Sequence, residues 1–82
     1  MILMADSHDL SIDHYLNVIY RKKEIFISKQ NSSGLPLTRL EDLFQDAVSK
    51  FYKGFDHFDE SRPVEPWFYT IYRRLVTDYL KS

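Results

Sequence analysis

The chain has 82 residues, a net charge of −1 at neutral pH, no cysteine and 16% aromatic residues. That length holds one small domain, and the missing cysteines exclude a disulfide scaffold or a thiolate metal site. The near-zero net charge excludes a uniformly basic nucleic-acid binder.

A small chain buries a modest core, and the aromatics offset this because each removes a large apolar area from water. A cysteine-free chain fits a reducing cytoplasm. The opening Met1, Ile2, Leu3 and Met4 are apolar but soon give way to Asp6, Asp9 and Asp13. The stretch is neither a secretory signal nor a membrane span, so no membrane partner is expected. Charge is distributed unevenly. Residues 41–60 hold two lysines against six acids, and residues 61–82 hold four basic residues against two acids. An acidic middle and a basic end point to two partners of opposite sign.

Residues 1–10 show no periodicity and are expected to form a flexible N-terminus, leaving 11–82 as the folded domain. Ser11 is the expected N-cap of a first helix over 11–30. Ile12, Tyr15, Leu16, Ile19 and Phe26 recur at helical spacing there, and Val18 and Ile25 widen the stripe. Gln30, Asn31, Ser32, Ser33 and Gly34 form a turn cluster in which Gly34 supplies a positive φ, and Pro36 blocks continuation. Thr38 with Glu41 three residues later reads as a capping box, with Leu37 as a hydrophobic staple. Behind it Leu40, Leu43, Phe44, Ala47, Val48, Phe51 and Phe55 make one apolar stripe, giving a second helix over 38–53 that Gly54 ends.

Residues 55–65 are expected to be an ordered loop anchored by Phe55 and Phe58, with Asp56, Asp59 and Ser61 suited to turns and caps. Pro63 and Pro66 both favour a helix start, so the last helix begins between 63 and 66. At roughly 100° per residue its Phe68, Ile71, Tyr72, Leu75, Val76 and Tyr79 share one arc, and Thr70, Arg73, Arg74, Thr77 and Lys81 share the other. Trp67 falls on the polar arc. The fold class is all-α: three main helices, with room for a short fourth at the N-terminus, around one aromatic core.

Catalysis finds no support. His8, His14 and His57 are too scattered for a helical metal pair, and two distant glycines make no phosphate loop. The adjacent acids Glu41–Asp42 and Asp59–Glu60 suit caps and solvated faces. The chain is read as a non-enzyme with no cofactor and no metal. Nucleic-acid binding has more support. Arg73, Arg74 and Lys81, with Arg62 from the loop, can neutralise phosphates. Thr70 and Thr77 can donate hydrogen bonds, and Trp67 with Tyr69 and Phe58 can stack on unpaired bases. The alternative reading of the last helix is a solvated surface element whose tryptophan covers a loop.

Two segments resemble region 2 of bacterial RNA polymerase sigma factors, of the extracytoplasmic-function type. Leu40, Glu41, Asp42, Leu43, Phe44, Gln45 and Asp46 resemble the start of that region's core-binding helix. After an aromatic stretch and Phe58, Asp59 and Glu60, residues 64–81 resemble its promoter-binding helix, in the same order and spacing. The resemblance covers about 40–81, and 11–35 fit the preceding helix by pattern only. It implies transcription initiation. The acidic helix would dock on the β′ clamp helices of RNA polymerase core through Glu41, Asp42, Gln45 and Asp46. The last helix and the loop would recognise and open the promoter −10 element, capturing single-stranded bases of the non-template strand. The loop spans 56–65 and contributes Asp56, Phe58, Asp59 and Arg62. Trp67, Thr70, Arg73, Arg74, Thr77 and Lys81 would face DNA. The charge asymmetry agrees, because an acidic helix suits a basic polymerase surface and a basic helix suits DNA.

Three positions depart from the pattern. Arg74 stands where the family usually has Asn, Pro66 where a small residue is common, and Glu65 where a basic one is common. An acid at 65 is expected to weaken phosphate contact. The resemblance covers no region 4, which implies either an excised domain or a stand-alone region 2 of a split sigma factor. The latter would be joined by a separate region-4 protein, and an anti-sigma factor is a further implied partner. Two rival readings remain. One is a protein-interaction regulator that keeps the region-2 shape without binding DNA. The other is a generic helix-turn-helix protein, which the long 54–65 connection disfavours.

Overall fold

The computed structural model describes residues 7–82. The first six residues of the expected flexible N-terminus lie outside the described residues. Four α-helices follow in order: α1 Ser7–Arg21, α2 Lys23–Ser28, α3 Leu37–Lys53 and α4 Val64–Lys81. Short 3-10 turns occupy Asn31–Ser33 and Phe55–His57. Among the described residues there is no strand, so the all-α class holds.

The expected single helix over 11–30 is two helices. Ser11 is not a cap, because α1 starts at Ser7 and runs through it. At Lys22 the backbone leaves helical geometry, with φ −104° and ψ 13°. Its amide donates to the Ile19 carbonyl at 3.1 Å, a tightened i−3 bond, and Phe26 restarts the ladder by donating to the Lys22 carbonyl at 3.0 Å. The apolar spacing runs through this break, which is why periodicity does not reveal it. After the break Phe26 and Ile27 are buried, while Ile25 is 55% exposed instead of widening the stripe. The fourth helix among the described residues thus comes from division of the expected first one.

Gly34 takes φ +85°, the one positive φ among the described residues, as its place after the 3-10 turn requires. The capping box does not form. Pro36 is the N-cap of α3, with ψ 154°, and no side chain caps the helix. The Pro36 carbonyl accepts the amides of Arg39 at 3.0 Å and Leu40 at 3.1 Å. Proline has no N–H of its own, so the helix start carries one orphan donor fewer and needs Thr38 less. Leu37, the expected staple, is 59% exposed. α4 begins at Val64 behind Pro63, within the expected window. Pro63 and Pro66 occupy two of the four positions whose N–H groups lack helical partners, so half of that cost never arises.

The core lies between α3 and α4, the most extensive helix pair. Leu40, Phe44, Ala47 and Phe51 of α3 face Phe68, Tyr72 and Val76 of α4, all buried. Phe44 meets Phe68 edge-on at 5.3 Å between ring centres and Tyr72 at 5.8 Å. Phe26 brings α2 onto the same cluster, 5.1 Å from Phe68. Edge-to-face and tilted pairs of this kind add to plain area burial. The core therefore fixes α4 along one side and leaves its other side to solvent.

Candidate functional site

The connection from α3 to α4 is held from inside. Gly54 donates to the Lys50 carbonyl at 2.9 Å and closes α3. Phe55 and Phe58 then enter the core, as expected, and Tyr15 of α1 packs edge-on against Phe58 at 5.1 Å. The Tyr15 hydroxyl donates to Glu60 at 3.5 Å, and burial, then the Glu60 charge, push its pKa up. Beyond this anchor Asp59 accepts from the Ser61 amide at 3.0 Å and from the Ser61 hydroxyl at 2.6 Å. The Ser61 hydroxyl, then its amide, hold the Asp59 carboxyl below its ordinary range, with the Arg62 guanidinium nearby adding to the effect. Asp59 is therefore an anionic acceptor tied to its own turn.

Trp67 leans on Phe58, with ring centres 5.6 Å apart and planes 56° apart. The two rings, with Asp59, Arg62, Pro66 and Thr70, line an open cavity of about 450 Å³. A smaller cavity of about 260 Å³ adjoins it along α4, lined by Trp67, Thr70, Ile71 and Arg74. Trp67 is 38% exposed, so one part of the indole is seated and another is open to a partner. Phe58 is buried and forms the floor, not a second stacking face.

Several expected residues meet here and others do not. Phe58, Asp59, Arg62, Trp67, Thr70 and Arg74 are brought together. Arg73, Thr77 and Lys81 line neither cavity, and Asp56 sits in the 3-10 turn away from them. The Thr70 hydroxyl donates to the Pro66 carbonyl at 2.9 Å, so its proton is committed and only its lone pairs face outward. Tyr69 belongs to a different surface. It stacks on Phe26 at 6.2 Å, accepts a hydrogen bond from Gln30 Nε2 at 2.6 Å, and lies under the Lys29 ammonium at 5.0 Å.

Glu65 does not enter the cavity. Its carboxylate pairs with Lys22 Nζ at 2.8 Å, across from the α1–α2 break to the first turn of α4. The Lys22 hydrogen bond, more than any other influence, keeps the Glu65 pKa low. Sequence reasoning missed Lys22, because a partner 43 positions away leaves no local signal.

The acidic residues expected on α3 share its outer face. Glu41, Asp42, Gln45 and Asp46 are all exposed, while Leu40, Leu43, Phe44 and Ala47 are buried beneath them. Asp42 pairs with Arg39 at 3.5 Å, and Glu41 approaches Lys23 at 4.0 Å. The Tyr20 hydroxyl donates to Gln45 Oε1 at 3.1 Å. Asp46 makes no hydrogen bond or ion pair among the described residues. These contacts are weak and solvent-screened, so the face is open to exchange them for an external cation.

Among the described residues no group of three or more His, Cys, Asp or Glu is placed to hold a metal ion. No helix among them is long and apolar enough to cross a membrane. No curated protein and no solved structure gives a match to the chain. The family model for sigma-70 region 2 matches residues 32–82, which take in the acidic face of α3, the Phe58–Trp67 cavity and all of α4, and the chain therefore belongs to the sigma-70 region 2 family.

Proposed function

We propose that this chain binds RNA polymerase core through α3 and opens the promoter −10 element through the cavity beside α4. Membership of the family supports a sigma-factor-like role in transcription initiation and a non-enzymatic domain. The residue-level assignment is finer. Glu41, Asp42, Gln45 and Asp46 meet the β′ clamp helices. Phe58, Asp59, Arg62, Trp67, Thr70 and Arg74 receive bases of the non-template strand, while Arg73, Thr77, Lys81 and Asp56 contribute field and flanking contacts. Residues 11–82 act as the region-2 domain, and the protein works in the cytoplasm with the polymerase.

The observation that carries this reading is the seating of Trp67. Its ring is fixed on buried Phe58 above an open cavity, with two arginines and a fixed carboxylate around it. An indole held this way stacks on a base at little ordering cost, and stacking offsets the pairing lost when the base leaves the duplex. Asp59, held anionic, suits the exocyclic amino group of adenine or cytosine.

The rival regulator reading without DNA contact draws on Glu65 and on the low net positive charge, and the pairing of Glu65 with Lys22 weakens the first of these. Transcription in vitro with core polymerase, this chain and a −10 promoter tests the proposal, with a region-4 protein added where needed. Promoter-dependent transcript that is lost with Trp67→Ala is the expected result. Core binding with no DNA opening under any addition would return the reading to a protein-interaction regulator.

A further inference from the structure

We infer that Lys50 and Lys53 of α3 form, with Arg74 of α4, a phosphate-binding subsite that carries a DNA strand onward from the Trp67 cavity. This rests on the proposed DNA-binding reading and extends it to a second helix. A third cavity, of about 470 Å³, opens where the end of α3 meets the middle of α4. Ile71 and Leu75 form its apolar side, Lys50, Lys53 and Arg74 its charged side, and Gly54 offers no side chain to fill it. It shares Ile71 and Arg74 with the 260 Å³ cavity, which in turn shares Trp67 and Thr70 with the 450 Å³ cavity. The three form one trough along the ridge of α4 that carries Trp67, Thr70, Ile71, Arg74 and Asp78.

From Trp67 to Asp78 that ridge is about 16 Å long at the rise of an α-helix. At the spacing of one DNA strand this takes up to about five nucleotides. None of Lys50, Lys53 and Arg74 is ion-paired among the described residues. Asp78, at the far end, is the one acid on the wall, so cations outnumber it there. Lysines in the last turn of a helix also complement its dipole, which accounts for Lys50 and Lys53 separately. It does not account for their sharing a wall with an arginine of another helix. An apolar floor with a cationic rim, continuous with a seated indole, is the build of a single-strand channel. That continuity favours a nucleic-acid strand over an acidic polypeptide.

The test uses polymerase reconstituted with the full chain and a short fluorescent single-stranded DNA oligonucleotide carrying a −10 element. Binding is measured at several salt concentrations for the wild type, Trp67→Ala, the double variant Lys50→Gln/Lys53→Gln, and the conservative pair Lys50→Arg/Lys53→Arg. Losing two single-strand phosphate contacts lowers the salt slope by about 1.4, so the gap between wild type and glutamine variant narrows about seven-fold from 50 to 200 mM salt. The arginine pair keeps the wild-type slope. Capture by core polymerase is equal for all variants, which shows that the fold is kept. If the glutamine variant keeps wild-type affinity and slope while Trp67→Ala binds less tightly, the subsite is overturned and the DNA reading stands. If the wild type itself shows no salt-dependent binding, both fall. Unchanged DNA binding with weakened core capture would assign the lysines to an acidic protein surface and also overturn the subsite.

Discussion

Lys22 and Glu65 meet at 2.8 Å across 43 residues of sequence, tying the break between α1 and α2 to the first turn of α4. The pair sets the charge that this end of α4 presents. The charge of Glu65 is answered within the chain and does not face the Trp67 cavity. Glu65 is also the one acid in the first turn of α4, where a negative charge is favoured by the helix dipole.

The pairing has a pH signature. The Glu65 pKa is lowered below its ordinary 4.5 on folding. Its contribution to stability is therefore present above 4.5 and is lost as pH falls below that value through the folded pKa. Both side chains are more than a third exposed, so the effect is discounted to the range of a surface pair, about 0.2–1 kcal/mol. Urea midpoints of the wild type and Glu65→Gln are expected to differ at pH 7 in low salt and to converge as pH falls below 4.5 and Glu65 takes up its proton. Equal midpoints at pH 7 would mean that the pair adds nothing to the fold.

Much of the scaffold is legible in the sequence because it depends on period and on proline. The stripe from Leu40 to Phe51, the anchors Phe55 and Phe58, and the start of α4 behind Pro63 all follow from local rules. The departures come where distant partners or competing local rules decide. The break at Lys22 lies inside an unbroken apolar period. Thr38 and Glu41 spell a capping box, but Pro36 begins the helix first and leaves them inside it. Tyr69 lies only two positions from Trp67 yet faces Gln30 and Lys29, because a helix turns about 200° over two residues. Of the site, the Phe58–Trp67 pair was legible as two nearby aromatics. That one would be floor and the other wall depends on how Tyr15 and Phe51 pack around Phe58.

The Tyr72 hydroxyl donates to the Leu40 carbonyl at 3.1 Å in the buried core, joining α4 to the first turn of α3. Tyr72→Phe keeps the ring and is expected to cost about 0.5–1.5 kcal/mol, the net worth of one such bond. Tyr72→Ala empties the ring space and is expected to cost about 3–5 kcal/mol. Burial, chiefly, pushes the Tyr72 pKa from 10.0 up to about 12. Since the folded pKa is the higher one, the stability linked to it is full below 10 and falls as pH rises from 10 toward 12. Denaturant titrations at pH 8 and 11 check both points: the wild type loses stability between them, and Tyr72→Phe loses less.

The acidic face of α3 yields a charge-reversal prediction. Asp42 is exposed and held only by Arg39 at 3.5 Å, one turn away on the same helix. Asp42→Arg is therefore expected to leave thermal stability within about 0.5 kcal/mol of wild type, as for most surface changes. It is expected to abolish pull-down of the β′ clamp helices. Gln45→Ala removes the acceptor of the Tyr20 hydroxyl as well as a contact group, and is expected to weaken the same pull-down. Normal capture of both variants would remove the polymerase half of the proposed function.

Trp67 separates fold from function most sharply. Its indole packs on Phe58 but remains 38% exposed, so Trp67→Ala gives up only part of a buried ring. The fold is expected to survive, because Phe58 is also held by Phe51, Phe55 and Tyr15. A base stacked on an aromatic ring is worth about 1–3 kcal/mol, or roughly five- to 150-fold in affinity. Trp67→Ala is expected to weaken holoenzyme binding to single-stranded −10 DNA by a factor in that range while core capture stays normal. Trp67→Phe keeps a smaller stacking face and is expected to fall between the two. Fluorescence anisotropy with a labelled non-template strand reads all three. If alanine and wild type bind alike, the indole is only a cover for Phe58 and the cavity is not where the base goes.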